Sequence, residues 1–258
     1  MKPKQSKLLS QWLADEQAPF SGWDFSYLKH RFIQERPCWD YVATAKRLLK
    51  KSNYVLDMAT GGGEVFSALA PFPAHTVAIE GWKPNVVVAR KRLKPFGVKV
   101  IEANELHKLP FANGEFDLVL NRHGGINQAS AKEIYRVLCN TGLFLIQQIE
   151  DSTLKDLCKE FGANQKWSSH TFFQVKKYFV KAGFHIEDAK HWSAKLMFND
   201  VGAFVYFLKA IPWLVPGFSV KKHFKALEKL QKKLDSGKKL VFVQKSFLVL
   251  VRKEQVLE

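Results

Sequence analysis

Apolar residues in this chain fall in short, nearly unbroken blocks that alternate with stretches of helical spacing. The blocks 54–59, 75–80, 98–103, 116–121 and 142–148 are rich in branched and aromatic residues. Their continuous apolarity predicts strands covered on both faces. Between them, 64–69, 84–93 and 130–138 repeat apolar residues at helical intervals, with Pro84 at a first helical position and Ser130 as a candidate N-cap. Regular strand–helix alternation predicts an α/β fold with a mainly parallel, doubly wound sheet. A last apolar run, 239–252, predicts a terminal strand.

Two regions fall outside this alternation. Residues 1–50 predict an N-terminal helical cap, leaving 51–258 as the main domain, with an accessory insertion at about 199–237. In the insertion, Phe224, Leu227, Leu230 and Leu234 recur at helical spacing with lysines on the remaining faces. Trp23, Phe25, Tyr27, Trp39 and Tyr41, with Phe204, Tyr206, Phe207 and Trp213, make both regions aromatic. Such rings either cover an acceptor pocket or pack the accessory elements, and packing is the expectation for most of them.

Composition narrows the class. With 47% hydrophobic residues in 258, the chain can build a core, which excludes a disordered protein. The net charge of +16 favours a polyanion such as RNA or an anionic surface. Only eight of the forty basic residues are arginine, the better phosphate fork, so a solvated lysine surface explains the charge equally well. Cys38, Cys139 and Cys158 form neither a C-x-x-C pair nor an even framework, which fits a cytoplasmic protein. The N-terminus lacks the apolar stretch of a secretion signal, and the most apolar segment, 201–218, is broken by Lys209, Pro212 and Pro216. No metal is expected, because the histidines and cysteines show no ligand spacing.

The sharpest chemical signal is Val55-Leu-Asp-Met-Ala-Thr-Gly-Gly-Gly-Glu64, a strand entering a glycine turn ahead of a helix. Glycines allow close backbone approach to a ligand, and a helix start beyond them offers free N–H groups. Glu80 ends the next strand, where a carboxylate can take both hydroxyls of a ribose. A dinucleotide site would use G-x-G-x-x-G, whose third glycine is missing here. Asp57, four residues ahead of Gly61 at a strand end, suits a ligand with a cationic amino-acid group better than a pyrophosphate. S-adenosylmethionine is such a ligand.

Residues of about 50–150, with the terminal strands, resemble class I S-adenosylmethionine-dependent methyltransferases, most closely the ubiquinone/menaquinone biosynthesis group. The glycine stretch is similar to the family's D-x-G-x-G-x-G, with Ala59 at its first glycine. Leu109-Pro-Phe-Ala-Asn-Gly-Glu-Phe-Asp-Leu-Val119 resembles its L-P-F…F-D-L-V signature, and Glu133-Ile-Tyr-Arg-Val-Leu138 its E-x-x-R-V-L. The resemblance implies a Rossmann-like sheet of seven strands, the last antiparallel, with the insertion preceding it. It also implies that Asp57 anchors the donor's amino group while Ala59, Thr60, Gly61 and Gly63 line its methionine part. Glu80 would hold the ribose hydroxyls with Gly81 beside it in the cofactor site, Trp82 would lie over the adenine, and either Asn104 or Glu105, in the loop with Leu106, would contact the adenine edge. The departure at Ala59 predicts weakened rather than lost donor binding.

Asn121, Arg122 and His123 end the fourth core strand, the rim where open α/β sheets bind ligands. Asn121 is expected to orient the donor or an acceptor amine, and His123 is the best-placed general base, since imidazole titrates near neutrality. Gln147 and Gln148 end the neighbouring strand. The expected activity is methyl transfer to a small, partly apolar or aromatic metabolite. RNA is the alternative acceptor, and a non-catalytic donor-binding or interaction protein is the reading from another class.

Overall fold

The computed structural model describes residues 3–21, 24–163 and 170–254, so Trp23 lies outside the described residues. The elements run α1 (Pro3–Gln17), β1 (Phe32–Gln34), α2 (Tyr41–Leu49), β2 (Tyr54–Met58), α3 (Glu64–Ser67), β3 (His75–Glu80), α4 (Lys83–Leu93), β4 (Lys99–Glu102) and β5 (Phe116–Arg122). They continue with α5 (Gln128–Val137), β6 (Leu138–Ile149), α6 (Lys155–Glu160), α7 (Phe172–Ala182), β7 (Phe184–Phe198), α8 (Val201–Ala210), α9 (Phe224–Asp235) and β8 (Leu240–Lys253).

The chain divides into two compact units. One is drawn from residues 1–36, 152–167 and 193–245, the other from 37–151, 168–192 and 246–258. Residues 37–50 of the expected cap fall in the second unit, and the expected insertion, 199–237, falls in the first.

The strand order is β1-β7-β8-β6-β5-β2-β3-β4. Strands β2 to β6 pair in parallel, and β8 runs antiparallel to β6. The doubly wound core is as the alternation predicts, but the sheet among the described residues has eight strands rather than seven. The extra strand is β1, three residues that pair antiparallel with residues 196–198 of β7. Three residues carry too little alternation to announce a strand.

In the second unit the sheet is apolar on both faces, because successive side chains point to opposite sides. Leu56, Met58, Val119, Phe144 and Ile146 join one core, sealed by Ile134 of α5 and Val175 and Phe179 of α7. Val55, Ala78, Leu118, Leu120 and Leu145 join the other, under Ala45, Leu48 and Leu49 of α2 and Val86 and Ala89 of α4. Helix α5 starts earlier than expected. Asn127, not Ser130, is its N-cap, with the Asn127 side chain accepting from the Ser130 N–H at 2.9 Å and Ser130 Oγ accepting from the Asn127 N–H at 2.9 Å. That reciprocal pair is a capping box in which serine replaces the usual Glu or Gln.

The first unit has its own core, in which α8 is buried along nearly its whole length. Asp200 N-caps α8 and also receives the Arg31 fork at 3.1 and 2.7 Å. Arg31 donates to Asp15 of α1 at 2.8 Å, and Tyr27 donates to the same carboxylate at 2.9 Å. Asp15 is 4% exposed, so removing Arg31 would strand a buried carboxylate. Arg31→Ala is expected to lower stability by about 2 kcal/mol, read as a shift in denaturant midpoint. An unchanged midpoint would show that the network holds nothing in place. Of the aromatic residues in this unit, Phe204, Tyr206 and Phe207 are core, with Tyr206 stacked on Tyr27 at 4.4 Å. Among the described residues no helix is long and apolar enough to cross a membrane.

Candidate functional site

The site grows out of one regularity in the second unit. On the sheet face covered by α2, four adjacent strands each carry an apolar residue and, two positions later, a polar one: Val55 then Asp57, Ala78 then Glu80, Leu120 then Arg122, Leu145 then Gln147. The registers Asp57↔Ala78, Asp57↔Leu120 and Arg122↔Gln147 place these positions side by side at the carboxyl ends of the strands. Asp57, Glu80 and Gln147 are each less than one-tenth exposed. Polar side chains buried in a row at this edge are what a ligand site requires and what a core does not.

Beyond β2 the chain turns through Ala59, Gly61 and Gly63, with φ of +55°, +63° and +78°. Glycine adopts this left-handed region freely; Ala59 does so at a cost of about 1 kcal/mol. The turn is fixed from three sides. The Thr60 N–H donates to Ile79 O at 3.0 Å, the Gly61 N–H to Glu80 Oε2 at 2.7 Å, and Arg92 Nε to Gly62 O at 2.8 Å. Glu80 Oε1 also accepts from the Trp82 N–H at 2.9 Å. Glu80 therefore organises the loops after β2 and β3 while keeping lone pairs for a ligand. Trp82 is 57% exposed beside it.

At the end of β4, Asn104 comes to Gly81: a Cβ on that glycine would lie 3.0 Å from Asn104 Oδ1. Glu105 points outward towards His107, 3.8 Å away, and Leu106 packs on the core. Of the residues expected at the adenine edge, Asn104 and not Glu105 joins the cluster. Asn121 is fully buried; it accepts from the Gly124 N–H at 2.9 Å and donates to Gly125 O at 3.2 Å, closing the turn after β5. Gly124, which the sequence does not advertise, packs against this turn: an added Cβ would lie 2.5 Å from the Ala59 Cβ.

Electrostatics at this rim depart far from ordinary values. Burial pushes the Asp57 carboxyl up to about 7; the Glu80 charge adds to the rise and Arg122 opposes it. Burial also raises the Tyr41 phenol, which feels Asp57 and Arg122, and lowers the Arg122 guanidinium. The expectation that His123 titrates near neutrality fails. Burial of the imidazole among its neighbours, with the Arg122 charge adding to it, holds it far below its usual range. His123 has φ of +68°, donates its N–H to Gln147 O at 2.9 Å, and lies 3.2 Å from Gln147 Nε2 through its own Nε2. Trp39 donates to Gln147 Oε1 at 2.8 Å. Trp39 and Tyr41 are thus buried parts of the rim, a role that aromatic content alone did not distinguish from packing.

A parallel sheet, a glycine turn between its first strand and helix, and two buried acids on adjacent strand ends form a Rossmann-like ligand site at the carboxyl ends of the strands. Residues 56–146 match the family model Methyltransf_11, described as Methyltransferase domain, and the chain carries a methyltransferase domain whose cofactor is S-adenosylmethionine. The fold is similar to that of a candidate methyltransferase from Bacillus halodurans C-125, at 21% identity and a TM-score of 0.60 over 83% of this chain and 99% of that one. It is similar also to YcgJ from Bacillus subtilis, at 16% identity and a TM-score of 0.61 over 83% and 98%. A third likeness is Haemonchus contortus phosphoethanolamine N-methyltransferase 2, solved with phosphomonomethylethanolamine and S-adenosylhomocysteine, at 14%, with a TM-score of 0.52 over 96% and 57%. No curated protein sequence matches the chain. None of these likenesses singles out the ubiquinone/menaquinone group.

Proposed function

We propose that the chain methylates a small, partly apolar or aromatic metabolite, with the donor on the polar rim of the second unit. The observation that carries this reading is the pair of buried carboxylates, Asp57 and Glu80, on adjacent strand ends around a glycine turn. Asp57 holds the donor's ammonium, and Glu80 takes the ribose hydroxyls with the lone pairs its two backbone donors leave free. Ala59, Thr60, Gly61 and Gly63 line the methionine part, Gly81, Asn104 and Leu106 the adenine side, and Trp82 offers an exposed ring face to the base. Asn121 acts by shaping the turn after β5.

When bound, the donor would supply an activated methyl group on a sulfonium. The chain's contribution is then chiefly placement, which alone supplies several kcal/mol. Buried acids and the aromatic Trp39 and Tyr41 beside them favour a small acceptor over a phosphate backbone. The small phosphorylated amine held by the Haemonchus enzyme is consistent with that scale. RNA is the second reading, because twenty of the forty basic residues but only nine of the twenty-four acidic ones belong to the first unit, with the α9 lysines prominent.

Tritium transfer from labelled S-adenosylmethionine into a cell extract split into RNA, protein and organic-soluble fractions tests both readings. Label in the organic or small-molecule fraction is expected; ribonuclease-sensitive label in RNA would replace the first reading with the second. Glu80→Ala, which removes the ribose partner and both loop contacts, is expected to weaken S-adenosylhomocysteine binding more than tenfold by calorimetry. Unchanged affinity would move the donor away from this rim.

A further inference from the structure

The hydrogen bonds around Gln147 dictate a proton position that no single residue reveals. The Trp39 indole can only donate, so the Gln147 atom facing it must be the carbonyl oxygen, at 2.8 Å. The amide nitrogen then faces His123, and since it can only donate, His123 Nε2 accepts, at 3.2 Å. A neutral imidazole whose Nε2 accepts carries its proton on Nδ1. His123 is therefore a hydrogen-bond donor with its basic nitrogen already occupied. Beside it, Arg122 is half-buried, and among the described residues its guanidinium makes no ion pair or hydrogen bond, although it feels Asp57 and Tyr41. Alternation and register put Arg122 on the same face as Asp57, one strand over and two residues further on. No ion pair among the described residues joins this acid and this guanidinium on neighbouring strand ends, so each is left with charge that a ligand can meet.

We propose that Arg122 and the Nδ1–H of His123 form an oxyanion subsite beside Asp57, with Trp39 and Gln147 as positioning residues that fix the His123 tautomer. The subsite takes a carboxylate or phosphate, donated either by the methyl donor's own amino-acid end or by the acceptor. The inference rests on the donor lying at Asp57, as proposed above. With the donor's ammonium on Asp57 its carboxylate lies on the next carbon, within reach of a second, cationic partner; an acceptor oxyanion would meet the same two donors from the solvent side.

The test begins with histidine-labelled protein, the His123 signals being assigned with His123→Asn. The 15N shifts of His123 at neutral pH are expected to show Nδ1 protonated and Nε2 bare. Gln147→Glu, which offers an acceptor in place of the amide, is expected to move the proton to Nε2. A wild-type ring protonated on Nε2, or no change in Gln147→Glu, would overturn the relay. Calorimetry then compares S-adenosylhomocysteine with its decarboxylated analogue in wild type and Arg122→Gln. A wild-type preference of tenfold or more that collapses towards one in the variant identifies the donor's carboxylate as the anion. Unchanged S-adenosylhomocysteine affinity, with loss in the variant of the His123 shifts that acetate or inorganic phosphate produces in the loaded wild type, identifies the acceptor's anion and which kind it is. If neither response changes, Arg122 binds no anion and the subsite is wrong. Arg122→Lys serves as second variant should the glutamine variant not fold, because it keeps the charge and loses the fork. Failure of wild type to bind S-adenosylhomocysteine at all would instead remove the donor placement on which the inference rests.

Discussion

Asp57→Asn is expected to be more stable than the wild type without ligand and to lose more than tenfold in affinity for S-adenosylhomocysteine. Both effects follow from a carboxyl that burial holds at about 7 against an unfolded value near 4. An acid whose folded pKa is raised contributes its stability below the unfolded value and loses it as pH rises through the folded one. At pH 8 the wild type keeps an anion in a desolvated place, at a cost of about 2–4 kcal/mol, which asparagine avoids. The gap between variant and wild type should therefore widen from pH 5 to pH 8 in denaturant titrations. A variant less stable than the wild type throughout would show that burial of this carboxyl carries no such cost.

The same carboxyl predicts how donor affinity varies with pH. Only the ionised form pairs with the donor's ammonium, so wild-type affinity should fall as pH drops below about 7, approaching tenfold per unit, and the fall should be absent in Asp57→Asn. The titratable and charged groups acting on Asp57 are Glu80, Tyr41 and Arg122, of which Glu80 adds to the rise and Arg122 opposes it, as does the neighbouring Thr60 hydroxyl. A residue that weakens the fold when empty and holds the ligand when full is the expected trade between stability and function.

Much of this site could be read from the sequence because strand alternation writes it there. Once β2, β3, β5 and β6 are recognised as runs of apolar residues, the polar residue two places beyond the last apolar one on a face marks the strand's exit from the core. That rule finds Asp57, Glu80, Arg122 and Gln147. What could not be read depends on contacts far apart in sequence or on backbone angles. The Trp39–Gln147 bond joins residues 108 apart, and Arg31 meets Asp200 across 169. His123 was a reasonable base by residue type, yet a partner on another strand occupies its Nε2. Strand β7 carries His185, Glu187, Lys190 and Lys195 among its apolar residues and is half exposed, so its 15 residues lack the continuous apolarity that betrayed the central strands. Asn104 and Glu105 are adjacent acceptors in one loop, and only the approach of Gly81 separates the one that turns inward.

Gly124→Ala is expected to cost about 2–3 kcal/mol of stability and more than tenfold in S-adenosylhomocysteine affinity, although residue 124 need not touch the donor. Its new Cβ would fall 2.5 Å from the Ala59 Cβ and 2.9 Å from Asn121 Oδ1, so the glycine turn after β2 and the turn after β5 must part. Ala59 stands where the family motif has glycine, in a left-handed conformation that its methyl group disfavours. The absence of a side chain at Gly124 is what makes room for that methyl. Ala59→Gly alone should be nearly neutral in stability, since relief of about 1 kcal/mol of backbone strain is offset by the greater freedom of glycine in the unfolded chain. Combined with Gly124→Ala it should restore about 1–2 kcal/mol, because the closest collision disappears while the contact with Asn121 stays. A double variant whose loss equals the sum of the single losses would show that the two positions do not share this space. Rescue of donor affinity along with stability would show that the substitution of alanine for glycine in the binding turn persists because a glycine on the neighbouring strand end accommodates it.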